Sequence, residues 1–113
     1  MPTSRRAAFN TLRTVTSASQ TGSYIVFGTA LPNGALLVKI VNNTNKDITI
    51  STDGTTDHDF IPAGAFALYD VGTNGQSSNN SERLCFPGNT QFWTKGTAGT
   101  GSLYLTSIYQ TTS

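Results

Sequence analysis

The feature that most constrains this 113-residue chain is its cadence. From residue 20 onward, short runs of β-branched, aromatic and aliphatic residues are cut by Pro, Gly, Asn and Asp at roughly ten-residue intervals, the pattern of antiparallel sheets joined by tight turns. Ser23–Phe27, Ala35–Val41, Asp47–Ser51, His58–Ile61, Ala65–Tyr69, Glu82–Phe86, Gln91–Lys95 and Ser102–Tyr109 each read as a strand. Pro32-Asn-Gly34, Pro62-Ala-Gly64 and Pro87-Gly-Asn89 read as turns between them. Seven or eight short strands predict an all-β antiparallel sandwich, Ig-like or jelly-roll. In Ala35–Val41 both faces are apolar, as expected of a central strand or one covered by a partner. It and Asp47–Ser51, either side of Asn42–Lys46, are expected to form a hairpin. Gly96–Gly101, which lacks the Lys-Ser/Thr ending of a phosphate loop, is expected to be a hairpin loop as well. The polar run 70–81 predicts a long surface loop.

Residues 1–20 break the cadence. Thr and Ser are frequent, no caps frame a helix, and the spacing of Phe9, Leu12 and Val15 is only loosely helical. This stretch reads as an extended basic arm, with room for one helical turn, ahead of a β domain at 21–113. Arg5, Arg6 and Arg13 lie here, and no acid precedes Asp47. Arg5, Arg6, Phe9, Leu12 and Arg13 are therefore the candidate subunit-interface residues, on an arm able to cross onto a neighbouring copy.

Only 12% of the residues are charged, about half the usual ~25%, which suits surfaces that pack against other subunits. The net charge of +1 provides no overall field for nucleic acid, and aromatic residues are not interleaved on a basic face, so no sequence-specific nucleic acid is expected as a partner. No apolar run reaches membrane-spanning length, and the first residues lack the apolar core of a signal peptide. The sequons at Asn42 and Asn79 are accordingly expected to be unmodified, and the chain to be made in a reducing cytoplasm. The single cysteine, Cys85, excludes an internal disulfide and reads as a small buried strand residue.

One stretch holds chemistry-bearing residues. Thr52-Asp-Gly-Thr-Thr-Asp-His-Asp-Phe60 contains three of the six acids and the sole histidine. The spacing fits no calcium loop, since only Asp57 and Asp59 alternate as ligands should. A zinc site needs three or four N or S ligands, and the one Cys is far away in sequence. An extended Asp57-His-Asp59 points its acids one way and its imidazole the other, which builds no local triad. Asp53-Gly54 is a tight-turn dipeptide, and Asp57 and Asp59 can accept backbone N–H bonds. Asp53, Gly54, Asp57, His58 and Asp59 are therefore expected to shape a loop, with no catalytic residue, metal or cofactor.

The run Lys39–Asp70 resembles a group of small proteins of tailed bacteriophages. Their shared pattern is a strand ending Asn-Asn or Asn-Leu-Thr, then Ile-Ser-x-Asp-Gly-x-x-Asp-His-Asp, Pro-Ala-Gly, and a strand ending Leu-Tyr-Asp. The strand Ser102–Tyr109 is similar to their ending, so the likeness spans about 35–109 and leaves out the arm; the long Asn/Ser loop at 70–81 departs from it. The resemblance implies a non-enzymatic structural protein of the virion. The expected partners are capsid, portal or neck proteins and copies of the chain itself in a homo-oligomer. The station expected first is a neck or collar component or head–tail adaptor; a capsid decoration protein is the near alternative. A reading of another class is a carbohydrate- or receptor-binding module presenting Trp93 on a sheet face.

Overall fold

The structure, a computed structural model, describes residues 5–71 and 85–112. It is an all-β sandwich of two antiparallel sheets, with nine strands among the described residues. The strands are β1 (Arg5–Phe9), β2 (Arg13–Thr16), β3 (Ile25–Val26), β4 (Ala35–Thr44), β5 (Ile48–Ser51), β6 (Asp59–Ile61), β7 (Phe66–Asp70), β8 (Trp93–Gly96) and β9 (Gly101–Thr112). The first sheet runs β1-β9-β4-β7, with β2 also paired to β9, and the second runs β3-β8-β5-β6.

Alternation sets the core. On β4, Val38, Ile40, Asn42 and Thr44 point inward and are buried, as are Leu103, Leu105 and Ser107 on β9. The second sheet contributes Ile48, Ile50, Ile61 and Thr94, and Phe27, Leu31 and Phe92 fill one end. A register shift between Ala35 and Leu37 keeps both Ala35 and Val38 inward.

Several expectations change. Residues 5–16 are not set apart from the β domain, because β1 and β2 lie end to end along β9 of their own chain. The hinge between them is pinned by Asn10, whose backbone N–H donates to Ser107 O (3.0 Å) and whose amide donates to Ser107 Oγ (3.0 Å). The helical turn is a short 3-10 turn at Ser17–Ser19.

β4 and β5 form no hairpin: β4 is bonded on both edges, by β9 and β7, so the chain must leave for the other sheet. Asn42 builds that corner, its buried amide donating to Lys46 O and Ile61 O at 2.9 Å each while its Oδ1 accepts from Thr44 Oγ1. Gly96–Gly101 likewise passes between sheets and closes no hairpin. Asn45 joins the two crossings, accepting from Thr100 N at 2.9 Å and donating its N–H to Thr100 O.

The first strand shortens to Ile25–Val26, and Phe86 makes a single bridge to Ala35. Cys85 is exposed, where a buried strand position was expected. Most of the expected loop at 70–81 and the start of the expected strand at 82–86 lie outside the described residues; Asp70 itself belongs to β7.

Candidate functional site

The acid-rich stretch is a loop folded over the outer face of the second sheet. It starts at Ser51, whose Oγ accepts from the backbone N–H of Asp53 (3.1 Å) and Gly54 (3.0 Å). Asp53 Oδ1 then accepts from the N–H of Thr55 (2.8 Å) and Thr56 (2.7 Å) and from Ser51 Oγ (2.8 Å). The two amides and the hydroxyl hold this carboxyl well below its ordinary range. Gly54 sits at φ +80°, and a Cβ there would stand 3.0 Å from Trp93 Cε2, so the turn needs glycine both for its backbone and for its seat on the indole.

The far end of the loop is tied by charge. Asp57 accepts a hydrogen bond from the Tyr24 hydroxyl and pairs with Lys95 Nζ at 3.0 Å, and Lys95 also lies 4.8 Å from the centre of the Tyr24 ring. These contacts lower the Asp57 carboxyl, the Tyr24 bond first and the Lys95 bond second. Desolvation, then the hydrogen bond to Asp57, pushes the Tyr24 phenol up to about 12. His58 is a strut: its ring Nδ1 accepts from Thr52 N at 3.0 Å, and its backbone N–H donates to Ile50 O at 2.8 Å.

Asp59 belongs to a different contact. It points between the sheets, accepting from Phe60 N (2.8 Å) and from the Tyr69 hydroxyl of β7. Burial raises the Tyr69 phenol, and the Asp59 bond raises it further. Asp57 and Asp59 thus have separate partners; Asp57 takes side-chain donors where backbone donors were expected. Asp57, His58 and Asp59 do line an open depression of about 380 Å³ with Thr49 and Phe60. Asp57 Oδ1, His58 Nδ1 and both Asp59 oxygens, however, bond to other parts of the chain, and no bond relays one residue to the next. Among the described residues, no three His, Cys, Asp or Glu side chains gather to hold a metal.

The arm residues separate. Arg6, Phe9 and Leu12 are exposed, and Arg5 opens β1. Arg13 is 6% exposed and is removed from the interface candidates. Its guanidinium donates to Thr11 O, to Thr29 O (3.1 Å) and to Ala30 O (3.0 Å), covering loop carbonyls that have no ladder partner. Gly28 makes way for its stem, since a Cβ there would meet Arg13 Cγ at 2.3 Å. The available signal was phase: in Arg13-Thr-Val-Thr16, Arg13 alternates together with buried Val15.

Trp93 is half-buried under Gly54, so the ring is no open platform for a sugar. The aromatic face lies elsewhere, on the outside of the first sheet. The pairing registers put Phe9, Ile108 and Leu37 in one outward row, with Asp70 at its end. The next row holds Thr106, Lys39 and Leu68, and the third Thr14, Tyr104, Val41 and Phe66. Phe9 (69%), Phe66 (65%) and Leu68 (53%) are the most exposed of these apolar side chains. Sequence reasoning named Phe9 but missed Phe66 and Leu68, whose strand pairs were not legible.

No family model matches the chain, and no curated protein matches it. Among solved structures it is similar to the Dit protein of phage SPP1, described as a paradigm of hub adsorption apparatus in phages infecting Gram-positive hosts. The TM-score is 0.40 and the identity 11%, over 93% of this chain and 49% of that one. The chain thus spans about half the length of that protein.

Proposed function

We propose that the chain is a non-enzymatic structural subunit of a tailed-phage virion, docking on a symmetric assembly through the outer face of its first sheet, as a neck or collar component or head–tail adaptor. The observation that carries this reading is the bare apolar face. Four strands at ~4.8 Å spacing and three outward rows span roughly 400 Å², in which seven apolar or aromatic side chains surround the polar positions Thr14, Lys39, Thr106 and Asp70. The apolar part of that face is uncovered by the described residues, and the main apolar patch of a monomer is often functional. Around it, charge is sparse, and the acid–His loop is committed to its own sheet. The sequence resemblance over 35–109 supplies the virion.

The test is quantitative detection in purified particles. A copy number equal to a ring's symmetry order, or a small multiple of it, is expected. A count on the scale of the whole capsid lattice replaces the neck reading with decoration. Absence from particles removes the virion reading.

A further inference from the structure

The first sheet ends on one side in β1 and β2, which lie end to end along β9, and on the other in β7, and each of these strands has one unpaired edge among the described residues. Among the described residues β1 pairs only with β9, and β7 only with β4. Such edges present free N–H and C=O groups and invite another strand. The edges of the second sheet are shorter, two residues in β3 and three in β6. Those of β1 and β7 are five residues each.

Three successive antiparallel pairings, β1 to β9 to β4 to β7, make β1 and β7 run in opposite directions. A second copy set beside the first in the same orientation therefore brings its β1 antiparallel to β7. From this and the matching that follows, we infer that copies of this chain join head to tail, with β1 of one copy added to β7 of the next. It is a β-augmentation between copies.

Full overlap of the two strands places Phe9 across from Phe66, Ala7 across from Leu68 and Arg5 across from Asp70. Outward-facing Phe66 and Leu68 then meet the outward positions of β1, Phe9 and Ala7. A slip of one residue sets outward against inward. A slip of two separates Asp70 from Arg5. Among the described residues Asp70 makes no ion pair of its own. The contact is heterologous, so it closes into a ring or runs on as a filament.

This contact rests on the reading of the chain as an assembly subunit and names how copies meet. Directly opposed positions bring Cα atoms to ~4.5–5.5 Å, within disulfide reach. The experiment is mild oxidation of the full chain carrying Cys85→Ser, Ala7→Cys and Leu68→Cys, followed by a non-reducing gel. The expected result is a ladder extending beyond dimers, with each single-cysteine variant stopping at dimer or monomer. Asp70→Arg is expected to weaken the ladder, and Arg5→Asp added to it to restore it. A double-cysteine variant that stays monomeric, or stops at dimer, overturns the inference. In that event, incorporation of the chain into particles keeps the virion reading; a ladder from a chain absent from particles does the reverse.

Discussion

The two sheets treat their outer faces in opposite ways. The second sheet covers its own: the loop from Ser51 to His58 crosses over Trp93, and Asp57 ties it to Tyr24 and Lys95. The first sheet leaves Phe9, Leu37, Val41, Phe66, Leu68, Tyr104 and Ile108 outward with no segment among the described residues laid over them. Both faces carry large side chains, so hydrophobicity alone does not mark a partner surface. What marks it is hydrophobicity that the chain has left uncovered. The most chemically suggestive stretch of the sequence turns out to be the cover, and the uncovered face is mostly apolar, with Lys39 and Asp70 as its charged positions.

The comparison can be broken at several points. The largest effect is expected on the covered side. Trp93→Ala should cost about 2–3 kcal/mol in chemical denaturation, somewhat below the loss for a fully buried tryptophan. A cost near zero would mean that the loop does not rest on the ring. Gly54→Ala comes next, at about 1–2 kcal/mol, from the left-handed backbone and the contact with the indole. Its Trp93 fluorescence should shift to longer wavelength as water reaches the ring.

Acid should loosen the same cover. The folded-state carboxyls of Asp53 and Asp57 lie below their ordinary value of 3.8. Their contribution is therefore present above the unfolded value and is lost as pH falls through the folded one. The Trp93 emission should redden in that acid window, and less so in Asp53→Asn. Tyr24 works from the other side: its raised pKa contributes stability below pH 10 that is lost as pH climbs toward about 12. The smallest effect belongs to the bare face, where Phe66→Ala and Leu68→Ala should each stay within about 0.5 kcal/mol of the parent. A loss like that of Trp93 would show that these side chains hold the fold.

The sandwich was legible because alternation and turn residues are local signals. The Asp53-Gly54 turn was legible for the same reason. Partnership was not. Asn42–Lys46 looks like a hairpin turn, yet what Asn42 does depends on Ile61 O, nineteen residues away, and on β4 having both edges occupied. Arg13 reads as a surface cation by residue type; only its phase with Val15, and carbonyls sixteen and seventeen residues on, make it internal. The apolar outer side of β4 was visible as Leu37 and Val41. Its continuation through Phe66 and Leu68 required the register of β7, which no local pattern encodes.

The most direct test of the uncovered face is a double variant, Phe66→Ser with Leu68→Lys, followed through folding and into particles. Native-like thermal unfolding together with loss of the protein from purified virions is the result expected of a docking surface. Incorporation at the parent level, by a variant that folds normally, would contradict it.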